Sequence, residues 1–378
     1  MKYRKNPRTN QQISLLGFGM MRLPVIDEDY SKIDEKQAVE MLRYAIDGGV
    51  NYVDTAYFYH GGNSEVVTGK ALKDGYREKV FLATKLPFGE AKDPSDLPKY
   101  LDTQLKRLDV NYIDYYLAHS IEDDAYDKFK TLGVYDFMKK EKEAGTLGQI
   151  GFSYHGSTPE FFTELLDSYE WDFAQIQLNF MDENYQAGVR GLLAAGERGI
   201  PIIIMEPLRG GMIANRLPAA VSAIYDSFPE KRSAADWAFN WVADFPEVMT
   251  ILSGMGTMEQ IEENLKILSK YDPECITDAE RAVYASVKSE YEKLIVYGCT
   301  ACKYCMPCPA GINIPGIIEL RNNTTMYDCL KESKGDYIEW VGKPRASVCT
   351  NCKQCEEACP QQLKVSEIMA ECVNMYEK

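Results

Sequence analysis

The 378-residue chain has no apolar run approaching the ~18 residues that a membrane span requires. It is also short of positive charge, since 42 lysines and arginines against 57 aspartates and glutamates leave a net charge of -15. That balance argues against nucleic acid or an anionic membrane as a partner, because both are held by basic surface. The basic opening Met1-Lys2-Tyr3-Arg4-Lys5 has no apolar segment behind it, so no signal peptide is expected and the expected location is cytoplasmic. Histidine is scarce, with only His60, His119 and His155. Cysteine is nearly missing from the first 298 residues, where Cys275 stands alone, and the other ten all lie from Cys299 onward. Clustering of this kind in a cytoplasmic chain favours metal over disulfides. At roughly 150 residues per domain the length suggests two domains, and the cysteines place their boundary: residues 1–285, then residues 286–378.

Residues 1–14 read as a polar hairpin with Asn6-Pro7-Arg8 at its turn. Beyond them, short apolar runs alternate with helical patterns. Strands are predicted at 15–19, 50–54, 80–84, 113–119, 149–153, 173–178, 200–205 and 248–253. Helices are predicted at 35–47, 64–73, 94–108, 134–144, 159–168, 189–198, 233–244 and 258–269. In the first of these, Ala38, Met41, Leu42, Ala45 and Ile46 have the spacing of a core-facing stripe. Strand then helix, eight times over about 270 residues, is the rhythm of an α/β chain closing into a (β/α)₈ TIM barrel. An open doubly wound sheet would carry a glycine fingerprint after its first strand, and Gly17-Phe18-Gly19-Met20-Met21-Arg22 lacks the third glycine.

In such a barrel the C-terminal ends of the strands share one mouth. Four polar residues fall there: Asp54 and Tyr59 after the second strand, Lys85 after the third and His119 after the fourth. A free tyrosine, with a pKa of about 10, is a weak acid for proton transfer near neutrality. A neighbouring lysine cation favours phenolate and lowers that value, and Asp54 would hold the lysine charged and in place. Tyr59 would then donate a proton to a carbonyl oxygen as hydride reaches its carbon, with His119 orienting the carbonyl.

Asp54-Thr55-Ala56-Tyr57-Phe58-Tyr59, Ala83-Thr84-Lys85 and Tyr116-Leu117-Ala118-His119 resemble the catalytic motifs of the aldo/keto reductase family, over about residues 10–270. The resemblance implies the barrel, a nicotinamide cofactor, NADP or NAD, and reduction of a small carbonyl substrate to an alcohol or the reverse. It also implies that Ser153 and Gln177 hold the nicotinamide amide, and that Pro207-Leu208-Arg209-Gly210 runs along the pyrophosphate. The adenosine end would lie against Gly254, Gln260, Glu263 and Asn264, where the start of a helix from Met258 suits a phosphate. The chain departs from the family in three places. Tyr154 follows Ser153 where many members have asparagine, Met205 stands where many have an aromatic residue, and Gly254 and Gln260 replace a basic pair for the 2′-phosphate. The choice between NAD and NADP is therefore open, and flavin remains a candidate.

The cysteines form two blocks, Cys299-x₂-Cys302-x₂-Cys305-x₂-Cys308-Pro309 and Cys349-x₂-Cys352-x₂-Cys355-x₃-Cys359-Pro360. The second has the spacing of bacterial cluster ferredoxins, in which three cysteines bind one cubane and the fourth binds the other. By that crossing, Cys299, Cys302, Cys305 and Cys359 hold one [4Fe-4S] cluster, and Cys349, Cys352, Cys355 and Cys308 hold the second. Paired C-x₂-C units also build zinc sites, although triplets closing on Cys-Pro fit cubanes better. The region resembles a dicluster ferredoxin domain, and a helical insert is expected between Cys308 and Cys349. Cys275, Cys329 and Cys372 are left over and are expected to be small core residues.

A nicotinamide delivers two electrons as hydride, whereas each cubane passes one. The two halves therefore need something that splits the pair, namely a flavin bound in the barrel, a flavoprotein partner or a substrate that accepts single electrons, and an external electron carrier is an expected partner of the clusters. Two functions fit. The first is an oxidoreductase of the aldo/keto reductase type, with clusters for electron exchange; the second is an electron-transfer or redox-sensing protein whose barrel binds nucleotide or flavin with little carbonyl turnover.

Overall fold

In the computed structural model, which describes residues 1–378, the polar start is an antiparallel hairpin of β1 (Tyr3–Lys5) and β2 (Gln12–Ser14). Eight parallel strands follow. They are β3 (Leu16–Gly19), β4 (Tyr52–Asp54), β5 (Phe81–Leu86), β6 (Ile113–Ile121), β7 (Leu147–Tyr154), β8 (Phe173–Gln177), β9 (Ile202–Met205) and β10 (Val248–Ser253). Each pairs with the next and β10 pairs back onto β3, which closes the barrel and removes any free sheet edge. The helices Glu35–Asp47, Asn63–Ala71, Asp96–Leu108, Val134–Glu143, Pro159–Ser168, Gly188–Glu197, Ala234–Ala243 and Met258–Ile267 follow the eight strands in turn. The (β/α)₈ barrel expected from the sequence is present. No helix is long and apolar enough to cross a membrane.

Side chains alternate along a strand, so residues two apart share a face. On the inward face Tyr52 precedes Asp54, Ala83 precedes Lys85, and Tyr115 and Leu117 precede His119. The lower positions of these series, with Phe173, Ile203 and the hairpin's Ile13, make one buried apolar cluster. Tyr115 is its centre, edge-on to Tyr52 at 5.2 Å and to Phe173 at 5.0 Å. The hairpin closes the bottom of the barrel, where the buried Asn6 Nδ2 donates to Tyr115 Oη at 3.0 Å. Apolar layers below therefore leave only the upper ends of the strands free to carry polar chemistry.

The outer layer repeats the predicted stripes, with Ala38, Met41, Leu42, Ala45 and Ile46 all buried. Helix Asn63–Ala71 packs against the end of Asp96–Leu108 at Gly69, where an added Cβ would lie 2.5 Å from the Leu108 carbonyl oxygen.

The chain divides into two units. One is Met1–Gly210 with Ala235–Ile276, and the other is Gly211–Ala234 with Thr277–Lys378. The boundary at 285 read from the cysteines falls inside the helix Asp278–Glu292, which opens on a capping box of Thr277 and Glu280. Glu280 also receives Arg232 Nη1 at 2.6 Å, tying the 211–234 segment to that helix. The expected helical insert is the pair Ile314–Met326 and Leu330–Asp336. Together with Val365–Cys372 it buries a small core that includes Ile314, Ile317, Ile318, Val365 and Met369. Cys329 and Cys372 are core residues as expected, but Cys275 is exposed, with its Sγ 3.4 Å from Asn240 Oδ1.

Helix propensity alone would make Gly69→Ala stabilising by about 1 kcal/mol. Contact with the Leu108 carbonyl reverses the sign, and the variant is expected to lose about 1–3 kcal/mol of stability in urea unfolding followed by circular dichroism.

Candidate functional site

The inward alternation brings Asp54, Lys85 and His119 to the mouth, and Tyr59 reaches it from the 3₁₀ turn Tyr59–Gly62 that follows β4. Lys85 Nζ donates to Asp54 Oδ1 at 2.5 Å, to the Thr55 carbonyl at 2.9 Å and to Tyr59 Oη at 3.3 Å. Lys85 and Asp54 are almost fully buried, while Tyr59 is half-buried. The His119 ring meets the Tyr59 ring edge-on at 6.3 Å. All four residues singled out in the sequence therefore meet at one place.

Burial works against the Lys85 ammonium, yet Asp54 and Tyr59 together hold it above the ordinary lysine range. Tyr59 departs from the sequence expectation. Burial pushes its phenol above the usual tyrosine value, and Lys85 opposes that push without overcoming it. Near neutral pH the group is a protonated phenol with a cation beside its oxygen. Burial and the neighbouring Lys85 and His155 drive His119 down to about 3, so its imidazole is neutral and can donate a hydrogen bond without carrying charge.

The residues expected to hold a nucleotide are spread around the same mouth. Ser153 and Gln177 are buried at the upper ends of β7 and β8. Ser153 Oγ accepts from the Ser120 amide at 2.7 Å, and Gln177 Nε2 donates to the Tyr185 carbonyl at 3.4 Å. Leu208 is part-buried and Gly210 exposed. Beyond β10, Gly254 is exposed, Gln260 Oε1 accepts from the Gly256 amide at 2.8 Å, and Asn264 Nδ2 donates to Ser253 Oγ at 3.1 Å. Glu263 is exposed, whereas Asn264 turns inward, so these two neighbours do not present one surface. Tyr154 faces the outer helix layer, packed 5.0 Å from Phe162, and is no part of the mouth. Met205 does face inward, and its sulfur receives Gln175 Nε2 at 3.4 Å.

Asp54 Oδ2 and Gln175 Oε1 are buried without a hydrogen-bond partner. Such orphaned acceptors in the upper layer fit a mouth that is completed by a bound organic cofactor.

Two residues escaped the sequence reading. Arg22, three residues past β3, spans the gap between the two glycine loops. A Cβ on Gly210 would lie 3.2 Å from its Nη2, and one on Gly254 would lie 3.1 Å from its Cγ. The available signal was position, since an arginine directly after the first barrel strand starts at the mouth. His155 follows β7 in the same way, with Nδ1 3.5 Å from Gln186 Nε2, and burial lowers its pKa.

In the second unit two cavities are lined by cysteine. Cys299, Cys302, Cys305 and Cys359 line one, and Cys308, Cys349, Cys352 and Cys355 line the other. These are the crossed sets expected from the spacing. Ile314 and Val365 line both cavities. Each set brings four thiols to the lining of one cavity, the number of protein ligands that a [4Fe-4S] cubane takes.

Comparison with known proteins gives two family matches: the aldo/keto reductase family over residues 15–282 and a 4Fe-4S dicluster domain over residues 298–364. The chain belongs to the aldo/keto reductase family. It is 30% identical over 213 residues to the probable aldo-keto reductase 1 of Glycine max, a match covering 54% of this chain and 59% of that protein. It is 25% identical over 309 residues to L-galactose dehydrogenase of Arabidopsis thaliana, covering 74% of this chain and 93% of that one. Among solved structures, the holo form of aldo-keto reductase AKR11C1 from Bacillus halodurans matches with a TM-score of 0.62 at 24% identity, over 76% of this chain and 96% of that chain. An aldo-keto reductase from Klebsiella pneumoniae in complex with NADPH matches with a TM-score of 0.61 at 21% identity, over 76% of this chain and 95% of that chain.

The crossed lining sets predict paired phenotypes in anaerobically purified protein. Cys359→Ser combined with Cys299→Ser is expected to lose no more than one cluster, about four irons, because both residues line one cavity. Cys359→Ser combined with Cys349→Ser is expected to lose both clusters. Iron and sulfide analysis distinguishes the two outcomes.

Proposed function

We propose that this member of the aldo/keto reductase family reduces a small carbonyl compound to its alcohol, or runs the reverse, with a nicotinamide cofactor at the barrel mouth, and that two [4Fe-4S] clusters in the second unit exchange electrons with an external carrier. The observation that carries the catalytic part is the 3.3 Å contact of Lys85 Nζ with Tyr59 Oη inside a buried Asp54–Lys85 pair. Bound, the nicotinamide supplies or accepts hydride and the clusters supply one-electron steps.

In this reading the Tyr59 phenol donates its proton to the substrate oxygen as negative charge develops there. Lys85 then stabilises the phenolate, and Asp54 keeps Lys85 charged and aimed. Neutral His119 orients the substrate carbonyl through a hydrogen bond. Ser153 and Gln177 supply donors and acceptors for a carboxamide, while Gly210 and Gly254 let a phosphate chain come close to backbone. Arg22 supplies the cation that Gly254 and Gln260 do not, which favours NADP over NAD. The eight cysteines Cys299, Cys302, Cys305, Cys308, Cys349, Cys352, Cys355 and Cys359 hold the iron as thiolates.

Tyr59→Phe tests the catalytic assignment. Carbonyl reduction is expected to fall by about 10²- to 10⁴-fold with nucleotide affinity retained, and full activity would overturn the assignment. In the wild-type enzyme the rate is expected to show no inflection between about pH 5 and pH 8, because His119 titrates far below that range. Arg22→Ala is expected to raise KM for NADPH by about 10-fold with kcat little changed, the pattern of lost uniform binding.

A further inference from the structure

Behind the mouth lies a buried carboxylate that the proposed chemistry does not use. Glu65 sits on the helix Asn63–Ala71 and is fully buried. Its Oε1 accepts from Thr84 Oγ1 at 2.8 Å and from Gln104 Nε2 at 2.8 Å. Gln104 Nε2 also donates to the Lys85 carbonyl oxygen at 3.0 Å, and Gln104 Oε1 accepts from Tyr116 Oη at 2.7 Å. The other carboxylate oxygen, Oε2, accepts from Arg107 Nη1 at 3.1 Å.

Arg107 carries the same network to the loop that follows β4, the strand next to β5. Its Nη1 donates to the Tyr57 carbonyl at 3.1 Å, and the guanidinium lies 4.2 Å from the centre of the Tyr57 ring. Gly62, at φ 94°, gives it room, since a Cβ there would stand 2.9 Å from Nη2. The segment 57–62 that bears Tyr59 is thus held from beneath by one guanidinium. Burying a carboxylate costs several kcal/mol unless its partners are well placed, and an apolar side chain would fill the same space without that cost. The position the carboxylate enforces on its two sets of partners accounts for its presence.

We propose that Glu65, Arg107 and Gln104 form the positioning device that sets the separation of Tyr59 from Lys85. One oxygen of Glu65 fixes the backbone of Lys85 through Gln104, and the other fixes the backbone two residues before Tyr59 through Arg107. None of the three touches the reacting atoms; each acts through the residues it holds. Lysine cannot replace Arg107, because a point ammonium on a shorter reach cannot bond Glu65 and the Tyr57 carbonyl while stacking on the ring.

This inference rests on Tyr59 and Lys85 being the proton-transfer pair proposed above, and its test includes a readout independent of turnover. Arg107 reaches the surface, so Arg107→Lys and Arg107→Met are the variants that carry the test. In each, the phenol of Tyr59 is expected to titrate at higher pH than in the wild-type protein, because Lys85 no longer stands close enough to favour phenolate. Ultraviolet difference titration against Tyr59→Phe isolates that one phenol. Alongside, kcat for carbonyl reduction is expected to fall by at least about 10-fold with KM for NADPH unchanged, as misplacement by a fraction of an ångström would give. An unchanged titration overturns the inference, even where thermal stability or activity falls, since that result leaves Arg107 a purely structural role. A shifted titration in a protein whose Tyr59→Phe variant keeps full activity supports the positioning device and overturns the catalytic reading instead.

Discussion

A lysine ammonium with 1% of its side chain exposed, above the apolar layers of a closed barrel, is the constraint on which the upper half of the barrel depends. Removing such a charge from water costs several kcal/mol, and only close, well-aligned partners offset it. Asp54 at 2.5 Å, the Thr55 carbonyl at 2.9 Å and Tyr59 at 3.3 Å are those partners. All three come from β4 and the turn after it, so the register of β4 against β5 is tied to the stability of the charge. A slip of one residue would turn Lys85 outward and place Thr84 and Leu86 on the inward face. The same contacts that make the ammonium tolerable hold the phenol beside it, so fold stability and site geometry rest on one set of bonds.

The opposing effects at Tyr59 follow from this placement. Burial that shields the Lys85–Asp54 pair also disfavours a second anion nearby, and it outweighs the pull of the cation. The phenol therefore stays protonated over the neutral range. A proton donor suits the reducing direction, in which the oxygen of the substrate gains negative charge as hydride arrives.

Much of this was legible in the chain itself. Eight apolar runs followed by eight helical patterns gave the barrel, because each strand is buried on both faces and each helix on one. The four mouth residues were legible through their places at strand ends, and the cysteines through their spacing. What one-dimensional pattern could not show was which way a strand faces. Continuous burial hides the alternation, so Tyr154 was indistinguishable from a mouth residue although it points into the helix layer beside Phe162. Arg22 and Glu65 were invisible for another reason: each acts through residues distant in sequence, as Arg107 lies 42 residues from Glu65. The segment 211–234 belongs with the cysteine-bearing unit through contacts such as Arg232 with Glu280 and Arg216 with the Asp328 carbonyl, which leave no mark on local composition.

The two units meet opposite electrostatic demands. In the proposed chemistry the barrel mouth needs a dry site in which one proton moves along a fixed hydrogen bond, and Lys85 and Asp54 are accordingly buried. The proposed clusters would need four thiolates each, and eight sulfurs with their iron cannot be fitted among the apolar layers beneath Lys85. Segregation into separate cores, one built on Tyr115 and Phe173 and the other on Ile314 and Met369, lets each be packed for its own chemistry. Ile314 and Val365 line both cysteine cavities, so the proposed clusters lie to either side of the same two side chains. Two centres that each accept one electron hold, between them, the electron content of one hydride. In the proposed function such a pair would collect single electrons from an external carrier for a two-electron step.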